Sequence, residues 1–180
     1  MGRRDIWQVQ RTGGSPEQEQ LLRSRTQLAT FGADDLDRLI ADLLSTMSSY
    51  SICVGLASTQ IGVPLRVAIV RRSDADPLVL INPEVTATSG KKDSKRESCM
   101  SIWGLCGEVE RRDKVRVRYQ DRSGASVEEQ FHGFESRVVQ HEIDHLDGVL
   151  YDERLNTDAS LESIDIFAGL TPQASDSGVS

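Results

Sequence analysis

The 180-residue sequence predicts an α+β fold, with antiparallel β-sheets packed around a central C-terminal helix and an amphipathic helix nearer the N-terminus. Three patterns carry that expectation. Leu36, Leu39, Ile40, Leu43, Leu44 and Met47 recur at helical spacing. Val115, Val117 and Tyr119 alternate with Arg116 and Arg118, a turn follows at Asp121 to Gly124, and Val127 to Phe131 returns, which is the pattern of an antiparallel hairpin. Phe134 to Leu146 is helical and apolar on more than one side, with Gly148 placed to end it.

Each element has a local reason. Asp34 or Asp35 suits the N-cap of the first helix. Residues 52–62 are small and glycine-containing; Leu65 to Val70 and Leu78 to Ile81 then read as short buried strands, the second closed by Asn82 and Pro83. Residues 1–20 are polar, contain Gly13-Gly14-Ser15-Pro16 and show no sustained hydrophobic period, so they are expected to form a flexible arm. A single domain is expected over residues 21–155, and residues 156–180 read as an acidic tail without Lys or Arg.

Composition limits the function classes. With 21 Lys and Arg against 28 Asp and Glu, the formal charge is -7, which argues against broad attraction to nucleic acid or anionic lipid. No apolar run is long enough to span a membrane, and no targeting signal is found. Three cysteines, Cys53, Cys99 and Cys106, do not make a disulfide framework, and a reducing cytoplasm is the simplest compartment. The oligomeric state is left open.

The polar residues of the second helix carry the chemistry. In His141-Glu142-Ile143-Asp144-His145 the imidazoles are four residues apart, so both can face one cation with Glu142 beside them. HExxH also arises by chance on solvated helices. Here the helix is apolar on most sides and only three histidines exist in the chain, so two imidazoles and a carboxylate within it need a compensating partner. Upstream, Cys99 in Glu97-Ser98-Cys99-Met100-Ser101 offers a thiolate as third ligand, which leaves a tetrahedral position open for water. Two imidazoles and a thiolate suit Zn²⁺, Fe²⁺ or Ni²⁺.

Three separated segments together resemble the motifs of the peptide deformylase family. Cys53-Val54-Gly55-Leu56-Ala57-Ser58-Thr59-Gln60 is similar to its G-φ-G-L-A-A-x-Q motif, Glu97-Ser98-Cys99-Met100-Ser101 to E-G-C-L-S, and Gln140 to Gly148 matches Q-H-E-x-D-H-L-x-G in full. Leu80 to Glu84 is similar to a middle strand of the family, and coverage runs from about Leu22 to Leu155.

The resemblance implies that Cys99, His141 and His145 bind the metal, with Fe²⁺ favoured, and that Glu142 is the general acid and base. It further implies that Gln60 and the Met100 backbone N–H hold the oxyanion, and that Glu97 and Arg111 form a supporting ion pair. Its substrate is an N-formyl-methionyl peptide, extended along Val54, Gly55 and Ser98, with Val54, Met100, Phe134 and Val138 around the methionine side chain. Ribosome contact is implied as well, although the basic C-terminal docking helix of some relatives has no counterpart here.

Four positions depart from the family pattern: Cys53 and Ser98 stand for glycine, Ser58 for alanine and Trp103 for proline. Trp103 is expected in the core. Other readings are a specialised deformylase for another formylated compound, a non-catalytic formyl-peptide-binding paralogue and an HExxH endopeptidase.

Overall fold

The computed structural model describes residues 2–32, 34–72 and 75–164. In chain order the elements are helices α1 (Pro16–Leu22) and α2 (Asp34–Ser48), strands β1 (Gly55–Ala57), β2 (Val67–Val70), β3 (Leu78–Cys99), β4 (Ile102–Gln120) and β5 (Ser126–His132), helix α3 (Gly133–Leu146) and strand β6 (Glu162–Ser163). The strands pair antiparallel in the order β1-β2-β3-β4-β5, with β6 on β4. The expected sheets are therefore one connected sheet, because β3 and β4 are long enough to serve both of its ends.

The apolar periods explain the layers. Helix α2 buries Leu36, Leu39, Ile40, Leu43 and Met47 against Leu56, Val67, Ile69 and Ile81 of the sheet. Each such side chain contributes about 1.5–3 kcal/mol on full burial, and Leu43→Ala at the centre would cost about 2–5 kcal/mol. Helix α3 packs against β1, β2, β4 and β5, burying Val138, Val139 and Ile143 against Val70, Val115, Val117 and Phe131. A third cluster joins Val9 and Leu22 to Ile102, Val109, Leu150 and Tyr151. No helix among the described residues is long and apolar enough to cross a membrane.

Several sequence expectations need correction. The stretch 1–20 is not a free arm over residues 2–20: Val9 and Leu22 are fully buried, and the Trp7 and Val9 N–H groups donate to the carbonyls of Gln60 and Ser101 at 2.8 and 3.0 Å. A capping box starts α1, where Ser15 Oγ accepts from the Gln18 N–H and Gln18 Oε1 accepts from the Ser15 N–H. Asn82 and Pro83 do not close a strand but kink β3, since Asn82 adopts φ 53° and the register with β4 shifts between Ile81 and Glu84. Helix α2 begins at Asp34, which puts Asp34 and Asp35 inside its first turn and the capping position outside the described residues. Residues 156–164 of the expected tail are also built in: the Asn156 N–H donates to the Glu108 carbonyl at 3.1 Å, and β6 pairs with Leu105 and Cys106 of β4. Residues 165–180 of that tail lie outside the described residues.

Candidate active site

Helix α3 and the β3–β4 turn build the site. His141 and His145 are one helical turn apart, with ring centroids 5.0 Å apart and planes at 73°. Cys99 ends β3, paired with Ile102 across a turn of two residues, and its Sγ lies 3.2 Å from His145 Nε2. Donor atoms of Cys99, His141 and His145 all lie within 4.8 Å of one another. The sulfur also receives the Ser101 N–H at 3.4 Å and faces Gln60 Nε2 at 3.6 Å.

Behind the cluster a buried ionic network fixes the rings. His141 Nδ1 lies 3.0 Å from Glu97 Oε2, which leaves the other ring nitrogen for the cluster. Glu97 accepts two bonds from Arg111, each 2.9 Å, and one from Arg137 at 2.6 Å. Arg111 continues to Asp144 at 2.5 Å, and Arg154 closes on Asp144 at 2.8 Å. Burial works to raise the pKa of Glu97, but hydrogen bonds from His141 and Arg111 outweigh it and hold the carboxyl well below the usual carboxylate range. Arg137 and Asp144 were missed in the sequence, although with His141 they share one face of α3 at the spacing i, i+4, i+7.

The donor set fits a metal cation. Burial holds His145 well below its usual pKa, so it stays neutral with a lone pair to give. For His141 burial acts in the same direction, yet hydrogen bonds to Cys99 and Glu97 win and raise it well above the usual value. The cluster thus attracts positive charge, which a cation answers as well as a proton does. Two nitrogens and one sulfur within 4.8 Å of one another could hold a divalent transition metal.

Glu142 stands next to this cluster, 3% exposed, with Oε2 lacking any hydrogen-bond partner. Burial pushes its carboxyl up to about 7, partly offset by the charges of His141 and Arg111. Such a group can take and return a proton near neutral pH. Gly55 makes room for it: a Cβ there would lie 2.4 Å from Glu142 Oε1 and 2.8 Å from Cδ. The glycine therefore answers to close approach rather than to backbone dihedrals.

All these groups meet in a cleft of about 410 Å³. Its lining includes Cys99, His141, Glu142 and Gln60 and also Val54, Gly55, Ser98, Met100, Phe134 and Val138, so the structure brings the expected residues to one place. His145 lies beneath them, 1% exposed. Val138 is buried, whereas Val54 and Phe134 stand at the rim, 37% and 65% exposed. Gln60 Oε1 accepts the Ala57 N–H at 2.9 Å, which turns Nε2 toward Ser101 Oγ at 3.2 Å and toward Cys99. Trp103 is half-buried in the cleft wall and not in the core. The N-terminal segment braces this wall: Gln8 Nε2 donates to the Met100 carbonyl at 2.6 Å, and Gln8 Oε1 accepts from the Trp103 N–H at 3.3 Å.

Comparison with known proteins agrees with this geometry. The family model for polypeptide deformylase matches residues 15–160. A peptide deformylase of Desulforudis audaxviator is 40% identical over 137 residues, 76% of this chain and 88% of that protein. The crystal structure of peptide deformylase from Thermotoga maritima superposes with a TM-score of 0.78 at 31% identity, covering 87% of this chain and 99% of that one. A Met-Ala-Ser-bound peptide deformylase from Acinetobacter baumannii gives 0.74 at 29% identity, over 84% and 98%. A match over most of the length, together with the Cys99, His141 and His145 cluster beside Glu142, leaves one conclusion: the chain belongs to the polypeptide deformylase family.

Proposed function

We propose that this protein is a metal-dependent hydrolase that removes the N-formyl group from formyl-methionyl peptides, releasing formate and a free amino terminus. The observation that carries this reading is the Cys99, His141 and His145 donor set in a cleft beside the unpartnered, buried carboxyl of Glu142. A divalent metal held by those three side chains supplies a Lewis acid and a lowered pKa for water.

The chain's own residues do the rest. Glu142 takes the proton of the attacking water and delivers it to the departing amine nitrogen, a dual role suited to a carboxyl poised near 7. The Gln60 side-chain amide and the Met100 backbone N–H donate to the oxygen on which negative charge develops. Backbone groups of Val54, Gly55 and Ser98 align an extended peptide, and its methionine side chain sits among Val54, Met100, Phe134 and Val138.

Fe²⁺ is the metal we favour, with Zn²⁺ and Ni²⁺ suited to the same donors. A cytoplasmic location suits a protein whose three cysteines are all free. Ribosome contact during chain emergence is part of this reading, and the sequence after Arg154 offers no Lys or Arg for it.

The test compares kcat/KM for formyl-Met-Ala-Ser, formyl-Ala-Ala-Ser and a small formylated amine. The reading expects the methionyl peptide to lead by roughly tenfold or more. Equal or better turnover of the small amine would instead identify a specialised deformylase.

A further inference from the structure

Strand β4 carries a row of cations that the chemistry above does not use. Arg112, Lys114, Arg116 and Arg118 occupy every second position, while Val115 and Val117 between them are buried with Val138 and Val139 of α3. Strand alternation therefore sets all four cations on the outer face of the sheet. Successive members are about 7 Å apart, and the row spans about 20 Å. All four lysines of the chain fall on β3 and β4, so a molecule of formal charge -7 gathers them on one hairpin.

The centre of the row is not neutralised. Lys114 lies between Ser89 of β3 and His132 of β5, and Arg116 between Ala87 and Gln130; these four neighbours are exposed and carry no carboxylate. Of the row, only Arg118 forms an ion pair among the described residues, with Glu84 at 2.7 Å. Arg112 donates to the Gly90 carbonyl at 3.3 Å, and Lys92 opposite it is paired to Glu110.

The make-up of the face narrows the partner. A lipid surface or a protein interface calls for exposed apolar anchors, and these rungs offer none larger than Ala87. Stacking of unpaired bases calls for a platform of aromatic rings. Tyr119 and Phe131 are buried on the opposite side, and His132 is tied to Gln130 at 3.2 Å. What fits is a phosphodiester backbone, met by cations in file at a spacing close to that of successive phosphates, with arginine suited to bidentate contact. Ser89 and Gln130, beside the two unpaired cations, can hydrogen-bond 2′-hydroxyl groups, which RNA has and DNA lacks.

We propose that the outer face of β4, through Lys114 and Arg116, docks the phosphate backbone of duplex RNA. The choice of RNA rests also on the deformylase reading, in which the protein works where chains are made. Arg112, the member nearest the catalytic turn, is separated from Ile102 by about 30 Å of strand, so a docked duplex leaves the cleft open.

The test titrates a fluorescent RNA duplex of about 16 base pairs with metal-loaded, full-length protein, read by anisotropy. Four phosphate contacts predict a loss of affinity of about 10²-fold between about 50 and about 200 mM KCl. Lys114→Glu with Arg116→Glu should weaken binding about ten-fold or more at the lower salt and reduce the slope of log K against log salt by about two. Hydrolysis of formyl-Met-Ala-Ser should be unchanged in that variant, and Lys114→Arg with Arg116→Lys should bind RNA as wild type does. Absence of binding at the lower salt, or a slope that the double Glu variant leaves unaltered, would overturn the proposal. So would a DNA duplex of the same sequence held as tightly as RNA, or tighter binding to phosphatidylserine vesicles, which would make the face a membrane contact. Wild type that binds RNA in this way but releases no formate keeps the docking face and sinks the deformylase reading.

Discussion

Gly55→Ala isolates the placement of Glu142 from the chemistry of its carboxyl. The added Cβ would lie 2.4 Å from Glu142 Oε1, against an ordinary contact of at least 3.4 Å, so the carboxyl must retreat by about 1 Å. Gly55 does not have a positive φ, so alanine adds no backbone strain, and the clashing atoms are the far end of a flexible side chain. Stability should therefore change by no more than about 1 kcal/mol, the overpacking being offset by the lower chain entropy of alanine in the unfolded state. Catalysis is less tolerant: a misplacement of about 1 Å costs about 10²-fold, or about 2.7 kcal/mol of transition-state stabilisation. The assay is formate release from formyl-Met-Ala-Ser, with metal content and thermal midpoint measured on the same samples. The expected result is a fall in kcat/KM of about 10²-fold with full metal occupancy. Activity within roughly threefold of wild type would refute the argument that Glu142 acts from its observed position.

Other perturbations probe the supports. Glu97→Ala leaves Arg111 and Arg137 buried without their shared carboxylate, which should cost about 3–5 kcal/mol and lower the thermal midpoint by roughly 6–20 °C; metal affinity, read by competition with a chelator, should fall about 10- to 100-fold. Gln8→Ala removes the bonds to the Met100 carbonyl and the Trp103 N–H, and should lower kcat about ten-fold with little change in metal content. Asp42 accepts from the Gly2 N–H and from Arg4, and the Gly2 bond leads in holding its carboxyl below the ordinary value of 3.8. Its contribution is therefore present above that pH and lost as pH falls through the lower folded value, so melting curves of wild type and Asp42→Asn should stay apart from pH 7 to about pH 4 and draw together only below it.

What was legible in the sequence was what short-range periodicity encodes. The four-residue spacing of His141 and His145 and the apolar surround of their helix pointed to a buried chelate, and alternation around Asp121 to Gly124 gave the hairpin. Cys99 stood out as a third ligand by residue type, whereas Gln60 became visible only through the family motifs, because its partners are distant in the chain. The bracing segment at Trp7 to Val9 was not legible: it is held by backbone bonds to Gln60 and Ser101 and by the Gln8 amide, none of which leaves a hydrophobic period. Its neighbour α1 carried a signal that the reading of a flexible arm passed over: Ser15-Pro16-Glu17-Gln18, a capping box with proline at the first helical position. Strand β3 was read too short because most of Glu84 to Arg96 is exposed on both faces, so neither alternation nor an apolar run marks it. The Arg137 and Asp144 contacts arise from packing between elements far apart in the chain.

The most direct test of the central claim pairs turnover with metal binding in Glu142→Ala. Protein is prepared anaerobically, loaded with Fe²⁺, Ni²⁺ or Zn²⁺, and assayed for formate release from formyl-Met-Ala-Ser alongside metal stoichiometry. The account predicts rapid, metal-dependent release by wild type, and a variant that keeps one metal per chain yet loses turnover by about 10²-fold or more. Metal-loaded wild type that releases no formate, or a Glu142→Ala variant as active as wild type, would contradict it.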